Sequence, residues 1–295
     1  MRDPLFLGVD GGATRCRARL RDADGRLLGE GIAGAANARL GEAGFAEVLK
    51  SCRDAIAAAG LGESDLKRIH AGLGLAGTQQ APDLEYVLTR PHPFASVTVD
   101  TDAYAAYMGA HEGRDGAILI VGTGTCGLAV VDGKRISVGG WGLDIADEGS
   151  GMMIGRTAIR RSLWALEGMA PMTPLAEAVL DRFGRDPAAI VGWAGKAKAA
   201  DYGSFSPAVF AHAEKRDPLA MTIIEEAARD VARLIDRLLE VGAPSVAMIG
   251  GVFPQILPWL PPPHRAVCFE PAGDAADGAI LMARAALARG EPSPR

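Results

Sequence analysis

The stretch Leu5-Phe6-Leu7-Gly8-Val9-Asp10-Gly11-Gly12-Ala13-Thr14-Arg15-Cys16-Arg17-Ala18-Arg19-Leu20-Arg21 decides the fold. Pro4 to Val9 is a short apolar run of the kind that forms a buried strand. Asp10 to Thr14 is a glycine-bearing turn. Arg15, Arg17, Arg19 and Arg21 then alternate with Cys16, Ala18 and Leu20. That period of two predicts a half-buried strand with its arginines facing water. Asp24-Gly25 is a hairpin signal, and Leu27 to Ile32 continues as a third strand. The segment predicts an antiparallel three-strand meander.

The pattern then changes. Ala46 to Ala59 reads as a helix closed by Gly60, and Ile69 to Leu75 as a strand followed by Ala76-Gly77-Thr78. A helix near Asp83 to Leu88, a strand Val97 to Val99 ending at Asp100-Thr101-Asp102, and a helix Ala103 to Ala110 complete a β-β-β-α-β-α-β-α order. The meander recurs from Gly116. Ala117 to Val121 is a strand, Gly122-Thr123-Gly124-Thr125 a turn, Cys126 to Val131 a strand, Asp132-Gly133 a turn, and Lys134 to Val138 a strand. Two units with the same order of parts indicate an internal duplication. The second half is mostly helical, with helices expected over Gly149–Leu166, Pro174–Phe183 and Pro218–Val241. The last starts with Asp217 as N-cap and Pro218 at the first helical position. Ser245 to Ile249 reads as a strand into Gly250-Gly251, Pro261-Pro262-Pro263 as a loop, Ala266 to Phe269 as a strand, and Ala275 to Ala288 as a closing helix.

Composition narrows the function classes. The chain has 295 residues, 48% of them hydrophobic and 23% charged, with a net charge of -5. An acidic chain without a basic block has no electrostatic footprint for nucleic acid. No apolar run is long enough to span a bilayer, and no secretory signal pattern is present, so a cytoplasmic protein is expected. Cys16, Cys52, Cys126 and Cys268 lie far apart with no C-x-x-C pair, which argues against a zinc site or a disulfide framework.

The candidate chemistry sits in the two turns and in the acids near them. Glycine lets a backbone approach a ligand closely, and successive N–H groups in such turns bind anions. Neither turn is a P-loop, and neither opens a helix as a dinucleotide-binding loop would. Asp10 and Asp102 both follow strands, where ligands of α/β folds bind. One carboxylate there can take the proton of an attacking hydroxyl, and another can hold Mg²⁺ through water. Asp147 and Glu148 precede a helix, where acids cap N-termini.

Four motifs, Leu7-Gly8-Val9-Asp10-Gly11-Gly12-Ala13-Thr14, Val121-Gly122-Thr123-Gly124-Thr125, Gly139-Gly140-Trp141-Gly142 and Asp147-Glu148-Gly149-Ser150-Gly151, occur in an order that resembles the N-acetylglucosamine/glucosamine kinase group of the BadF/BadG/BcrA/BcrD ATPase family. The resemblance runs over residues about 5 to 155. It implies an α/β protein of two ribonuclease H-like lobes, the actin-like ATPase fold of the sugar kinase/Hsp70/actin superfamily, with an interlobe cleft. Residues 1–111 would form the N-terminal lobe and 112–295 the C-terminal lobe with a helical insertion, the helix near 275–288 being a candidate to pack on the first lobe. The implied activity is transfer of a phosphoryl group from ATP to the 6-hydroxyl of N-acetylglucosamine or glucosamine, with Mg²⁺. Asp10, Gly11, Gly12 and Thr14 resemble the first phosphate loop, with Asp10 near Mg²⁺, and Gly122, Thr123 and Gly124 the second. Gly250-Gly251 resembles the adenosine-side turn. Asp102 matches the catalytic base. Asn37, Gly77, Thr78, Thr123, Trp141 and Asp147, with Asp102, fall where the family contacts or lines the sugar site. Members acting on N-acetylglucosamine often carry Asn after the second loop, where this chain has Cys126. The sugar therefore stays open at this point.

Two other functions fit parts of the pattern. One is an ATPase activator of a 2-hydroxyacyl-CoA dehydratase, but its iron–sulfur cluster needs thiolates brought together, and Cys126 and Cys268 lack that setting. The other is a non-catalytic sugar-sensing regulator, but the first loop comes as early as Asp10 and no DNA-binding helix-turn-helix is expected ahead of it. The partners expected are a small sugar and, as the one protein partner considered, a second copy in a homodimer. No nucleic acid or membrane partner is expected.

Overall fold

The computed structural model describes residues 3–12 and 14–290. In chain order the elements are β1 (Leu5–Gly11), β2 (Cys16–Arg21), β3 (Leu27–Ala33), α1 (Glu42–Ala58), α2 (Glu63–Leu66), β4 (Ile69–Leu75), α3 (Ala81–Leu88), β5 (Ser96–Thr101) and α4 (Asp102–His111). A second series follows: β6 (Gly116–Val121), β7 (Thr125–Val131), β8 (Lys134–Gly139), α5 (Gly151–Leu166), α6 (Pro174–Asp181), α7 (Pro187–Ala194), α8 (Ala199–Gly203), α9 (Ser206–Glu214) and α10 (Pro218–Glu240). The chain ends with β9 (Val246–Ile249), α11 (Phe253–Ile256), α12 (Pro262–Val267), β10 (Cys268–Phe269) and α13 (Ala275–Arg289). Residues up to Arg114 together with those from Pro271 onward make one compact unit, and Asp115–Glu270 make the other. The segment from Pro271, which lies in the span of the second lobe but carries the helix that is the candidate to pack on the first, groups with the first unit.

The first unit is a five-stranded sheet in the order β3-β2-β1-β4-β5. β1 to β3 form the antiparallel meander, and β4 and β5 run parallel to β1. Side chains alternate across a strand, so Leu5, Leu7 and Val9 point one way with Cys16, Ala18 and Leu20. They join Val48, Cys52, Ala55 and Ile56 of α1 in one core. The other face carries Phe6, Gly8 and Asp10, and Phe6 packs on Ile280 and Ala283 of α13.

Helix α13 lies unusually close to this face. A Cβ on Gly8 or Gly72 would overlap the backbone carbonyls of Ala276 or Ala279, and one on Gly278 would strike the Ala105 carbonyl of α4. These positions need glycine for close approach rather than for an unusual φ. This backbone-on-backbone seating is why the C-terminal segment folds with the first unit. The arginines of β2 also depart from expectation. Arg17, Arg19 and Arg21 do not simply face water; they pair with Asp10, Asp274 and Asp277 around the start of α13. Local alternation predicted the correct face but could not show that a distant helix would cover it.

The second unit repeats the plan, with its sheet in the order β10-β9-β6-β7-β8. β6 to β8 form the meander, and β9 and β10 lie parallel on the other side of β6. α10 begins where Asp217 accepts hydrogen bonds from the N–H groups of Leu219 and Ala220, and the other oxygen of that carboxylate accepts one from Leu175 at the start of α6. The stripe Ile224, Ala227, Ala228, Val231, Ile235 and Leu238 enters the core beside Ala117, Leu119 and Val121 of β6. Helices α7, α8 and α9 were not predicted. The proline run read as a loop instead starts α12, because proline at a first helical position gives up no needed hydrogen bond.

Two glycine substitutions test the packing. Gly72→Ala should destabilise the chain by about 1–3 kcal/mol through overpacking against α13. Gly192, inside α7 with open space where a Cβ would go, should respond in the opposite sense. Its replacement by Ala should stabilise by up to about 1 kcal/mol. Urea unfolding of both variants checks the pair.

Candidate functional site

In the first unit the parallel strands β1, β4 and β5 end together. Asp10 pairs in register with Gly74, and Gly74 with Asp100. Asp102 follows as the first residue of α4, whose N-cap Thr101 accepts a hydrogen bond from Tyr104 N. Asp102 Oδ1 accepts from the N–H of Ala103 at 2.9 Å. Burial raises the Asp102 pKa, and the charge of Asp10 raises it further. Asp10 Oδ2 is held by Arg17 Nη2 at 3.1 Å.

Backbone hydrogen bonds stitch neighbouring loops to this end. Ala76 N donates to Gly11 O at 2.8 Å, Ala36 N to Gly12 O at 3.0 Å, and Ala38 N to Ala76 O at 2.8 Å. Asn37 lies between these anchors, with its Oδ1 accepting from Arg39 N at 2.9 Å. Gly77 has φ +90°, and a side chain there would run into Asn37 Oδ1. The buried Thr78 hydroxyl donates to Leu75 O at 2.7 Å. Asp10, Gly11, Gly12, Asn37, Gly77, Thr78 and Asp102 are thus gathered at one end of one sheet, with Thr14 exposed on the turn.

In the second unit the Gly122–Gly124 turn is bound to the start of α5. Gly151 N donates to Gly122 O at 2.8 Å and Met152 N to Thr123 O at 3.2 Å. Ser150 caps the helix through Met153 N. Asp147 is buried, and its carboxylate accepts from the backbone N–H groups of Thr125 and Gly142. Burial raises its pKa, the nearby Glu148 charge adds to that, and the two N–H groups act against it. A Cβ on Gly124 would come within 2.9 Å of that carboxylate. Asp147 thereby ties the turn to the loop after β8. That loop carries Trp141, 70% exposed, and Ile145, 77% exposed. Cys126 lies opposite Gly139, and Gly140 packs close against its Cβ. Gly250, at φ +107°, sits against the backbone of Val121 and Gly122, and Val252 N donates to Val121 O at 3.0 Å. Gly122, Thr123, Gly124, Trp141, Asp147, Gly250 and Gly251 therefore share one end of the second sheet.

Several residues here were not anticipated. Alternation marks Arg17 only as a strand arginine, whereas pairing the two strands of the hairpin puts it opposite Asp10. Among the described residues the buried hydroxyl of Thr125, at the base of the second turn, has no hydrogen-bond partner. Gly203 and Ser206 pack near Thr123 and Gly151, brought there by helices that carry no local signal of it. Among the described residues no group of three or more His, Cys, Asp or Glu is placed to hold a metal ion alone. Two neighbouring carboxylates, Asp10 and Asp102, without thiolate or imidazole, nevertheless suit Mg²⁺. That ion takes one or two carboxylates and keeps waters or phosphate oxygens as its other ligands.

The model of the BadF/BadG/BcrA/BcrD ATPase family matches residues 7–283. A glucosamine kinase of Vibrio cholerae is 40% identical over 279 residues, covering 94% of this chain and 95% of that protein. An N-acetyl-D-glucosamine kinase of Dictyostelium discoideum is 26% identical, covering 81% of each. The crystal structure of a candidate N-acetylglucosamine kinase from Chromobacterium violaceum superimposes with a TM-score of 0.86 at 34% identity, covering 95% of this chain and 99% of that one. The repeated five-stranded sheets with their helices are the two-lobed actin-like ATPase fold, and the chain belongs to the BadF/BadG/BcrA/BcrD ATPase family.

Proposed function

We propose that the chain is an ATP-dependent amino-sugar kinase that phosphorylates the 6-hydroxyl of glucosamine, with N-acetylglucosamine as the poorer substrate. The observation that carries the reading is Asp102. It is a half-buried carboxylate with a raised pKa beside Asp10 at the ends of parallel strands, in a chain 40% identical to a glucosamine kinase.

In this reading Asp102 accepts the proton of the 6-hydroxyl while the sugar oxygen bonds to the γ-phosphorus and the bond to the leaving ADP oxygen breaks. Gly11, Gly12 and Thr14 of the first turn, and Gly122, Thr123 and Gly124 of the second, offer N–H and hydroxyl donors to phosphate oxygens. Gly250 and Gly251 serve the adenosine side. Asp10 would hold Mg²⁺ through water, and that ion would neutralise charge developing on the phosphates. Toward the sugar the first unit would offer Asn37, Gly77, Thr78 and Asp102, and the second unit Thr123, Trp141 and Asp147. Thr78 and Asp147 direct their polar atoms to the chain's own backbone, so they shape that side, while the exposed Trp141 can cover an apolar sugar face. Cys126 bears on the choice of sugar. A thiol is a poor substitute for an amide that both donates and accepts, and this disfavours the N-acetyl group.

Four measurements test the reading. Asp102→Asn should bind ATP but lose about 10²–10⁴-fold in kcat. The active form of the base is deprotonated, so wild-type kcat/KM should rise with pH through an acid limb above the ordinary Asp value of 3.8. An unchanged kcat or the absence of that limb would refute the base assignment. Thr123→Val should raise the KM for ATP more than that for sugar. In an ADP-release panel with product position read by NMR, glucosamine should exceed N-acetylglucosamine in kcat/KM by at least about tenfold, the ratio that about 1.4 kcal/mol supplies.

A further inference from the structure

The face of the first sheet that bears Asp10 carries an alternating row of charge. Arg17 reaches Asp10 at 3.1 Å with Nη2 and Asp274 at 3.6 Å with Nη1. Arg19 grips Asp274 with both terminal nitrogens, at 2.9 and 3.1 Å, and also meets Asp277 at 2.7 Å and Glu30 at 2.8 Å. Arg21 closes the row on Asp277 at 2.9 Å. Asp274 is the N-cap of α13, and its Oδ1 accepts from the N–H groups of Ala276 and Asp277. Those bonds fix its side chain, while the seating of α13 on Gly8 and Gly72 fixes its backbone.

Asp274 and Asp10 thus share one guanidinium, and the two are more than two hundred residues apart in the chain. A planar fork held at one end has less freedom at the other. We propose that Asp274 is a positioning residue of the phosphoryl-transfer site, holding Arg17 along β2 so that Arg17 fixes the Asp10 carboxylate. This rests on the kinase reading above, with Asp10 as the Mg²⁺ side of the site. It adds that the last helix of the chain sets the geometry of an acid on the first strand.

Asparagine caps helices as well as aspartate, so Asp274→Asn removes the charge while keeping the cap. Asp277→Asn is the matched control, since it breaks the same row at Arg19 and Arg21 without touching Arg17. Calorimetric titration of the full-length chain with ADP, with Mg²⁺ and then with chelator, reads the metal-linked gain in affinity directly. Asp274→Asn should cut that gain by about tenfold, as loss of a residue supporting a metal ligand does, and leave metal-free ADP binding unchanged. Arg17→Met should do the same, and the double variant should lose no more than Arg17→Met alone. Asp277→Asn should lower Tm but keep the full Mg²⁺-linked gain. If Asp274→Asn keeps the full gain and lowers Tm only as Asp277→Asn does, Asp274 is a structural cap and the proposal falls. A wild-type chain that binds ADP no more tightly with Mg²⁺ would instead overturn the metal assignment at Asp10, and the proposal with it.

Discussion

The first unit depends on the closeness of α13 to the sheet. Gly8 and Gly72 leave no room for even a methyl group between strand and helix backbones, and Gly278 removes the same obstacle toward α4. Such contact brings many atoms into dispersion range at once, where each pair gives only about 0.1–0.2 kcal/mol. A modest displacement of the helix would therefore weaken the whole set together. Gly29 and Gly31 of β3 stand in the same relation to Ala55 and Ser51 of α1 on the other face. Strand glycines normally weaken a sheet. Here they allow both covering helices to approach.

That closeness gives the arginines of β2 their partners. Partly exposed ion pairs usually contribute only about 0–1 kcal/mol each, so the row is a weak source of stability taken pair by pair. Its geometry is more consequential. Arg19 has a side chain only 17% exposed and meets three carboxylates, so removing one acid leaves a half-buried guanidinium partly uncompensated. The row runs from the helix cap to Asp10 and links the packing of the last helix to an acid at the end of the first strand.

The meander, the turn after each first strand and the duplication were all legible, because periods of two and glycine-rich turns are local signals. So was α10, whose apolar stripe and Asp217-Pro218 start are written within one helix. The membership of α13 was harder, since it depends on which strand glycines meet which helix carbonyls. The short helices α7 to α9 lacked a clear apolar period; α7 buries only Ile190. In the site, Asp10 and Asp102 stood out as acids after strands. Arg17, Thr125 and Gly203 did not, because their positions arise from strand register and from contacts with residues remote in sequence.

The duplication also exposes what the two halves do not share. The first hairpin ladder ends at Gly11 and Cys16, with Asp10 opposite Arg17 one step earlier, and the second ends at Val121 and Thr125, with Ile120 opposite Cys126 one step earlier. At that step the first hairpin has an acid–base pair and the second an apolar side chain and a thiol. A carboxylate near strand ends can serve a metal or a proton, whereas Ile120 and Cys126 can do neither at neutral pH unless the thiol is activated. The backbone turn is present in both halves, but only the first pairs an acid with an arginine beside it. In the proposed reading both copies keep the turn whose N–H groups would bind phosphate. In the second unit Cys126 lies next to Gly140, which precedes the exposed Trp141, so in the proposed reading a small uncharged side chain there bears on the choice of sugar, while Asp102 keeps its own surroundings in the first unit.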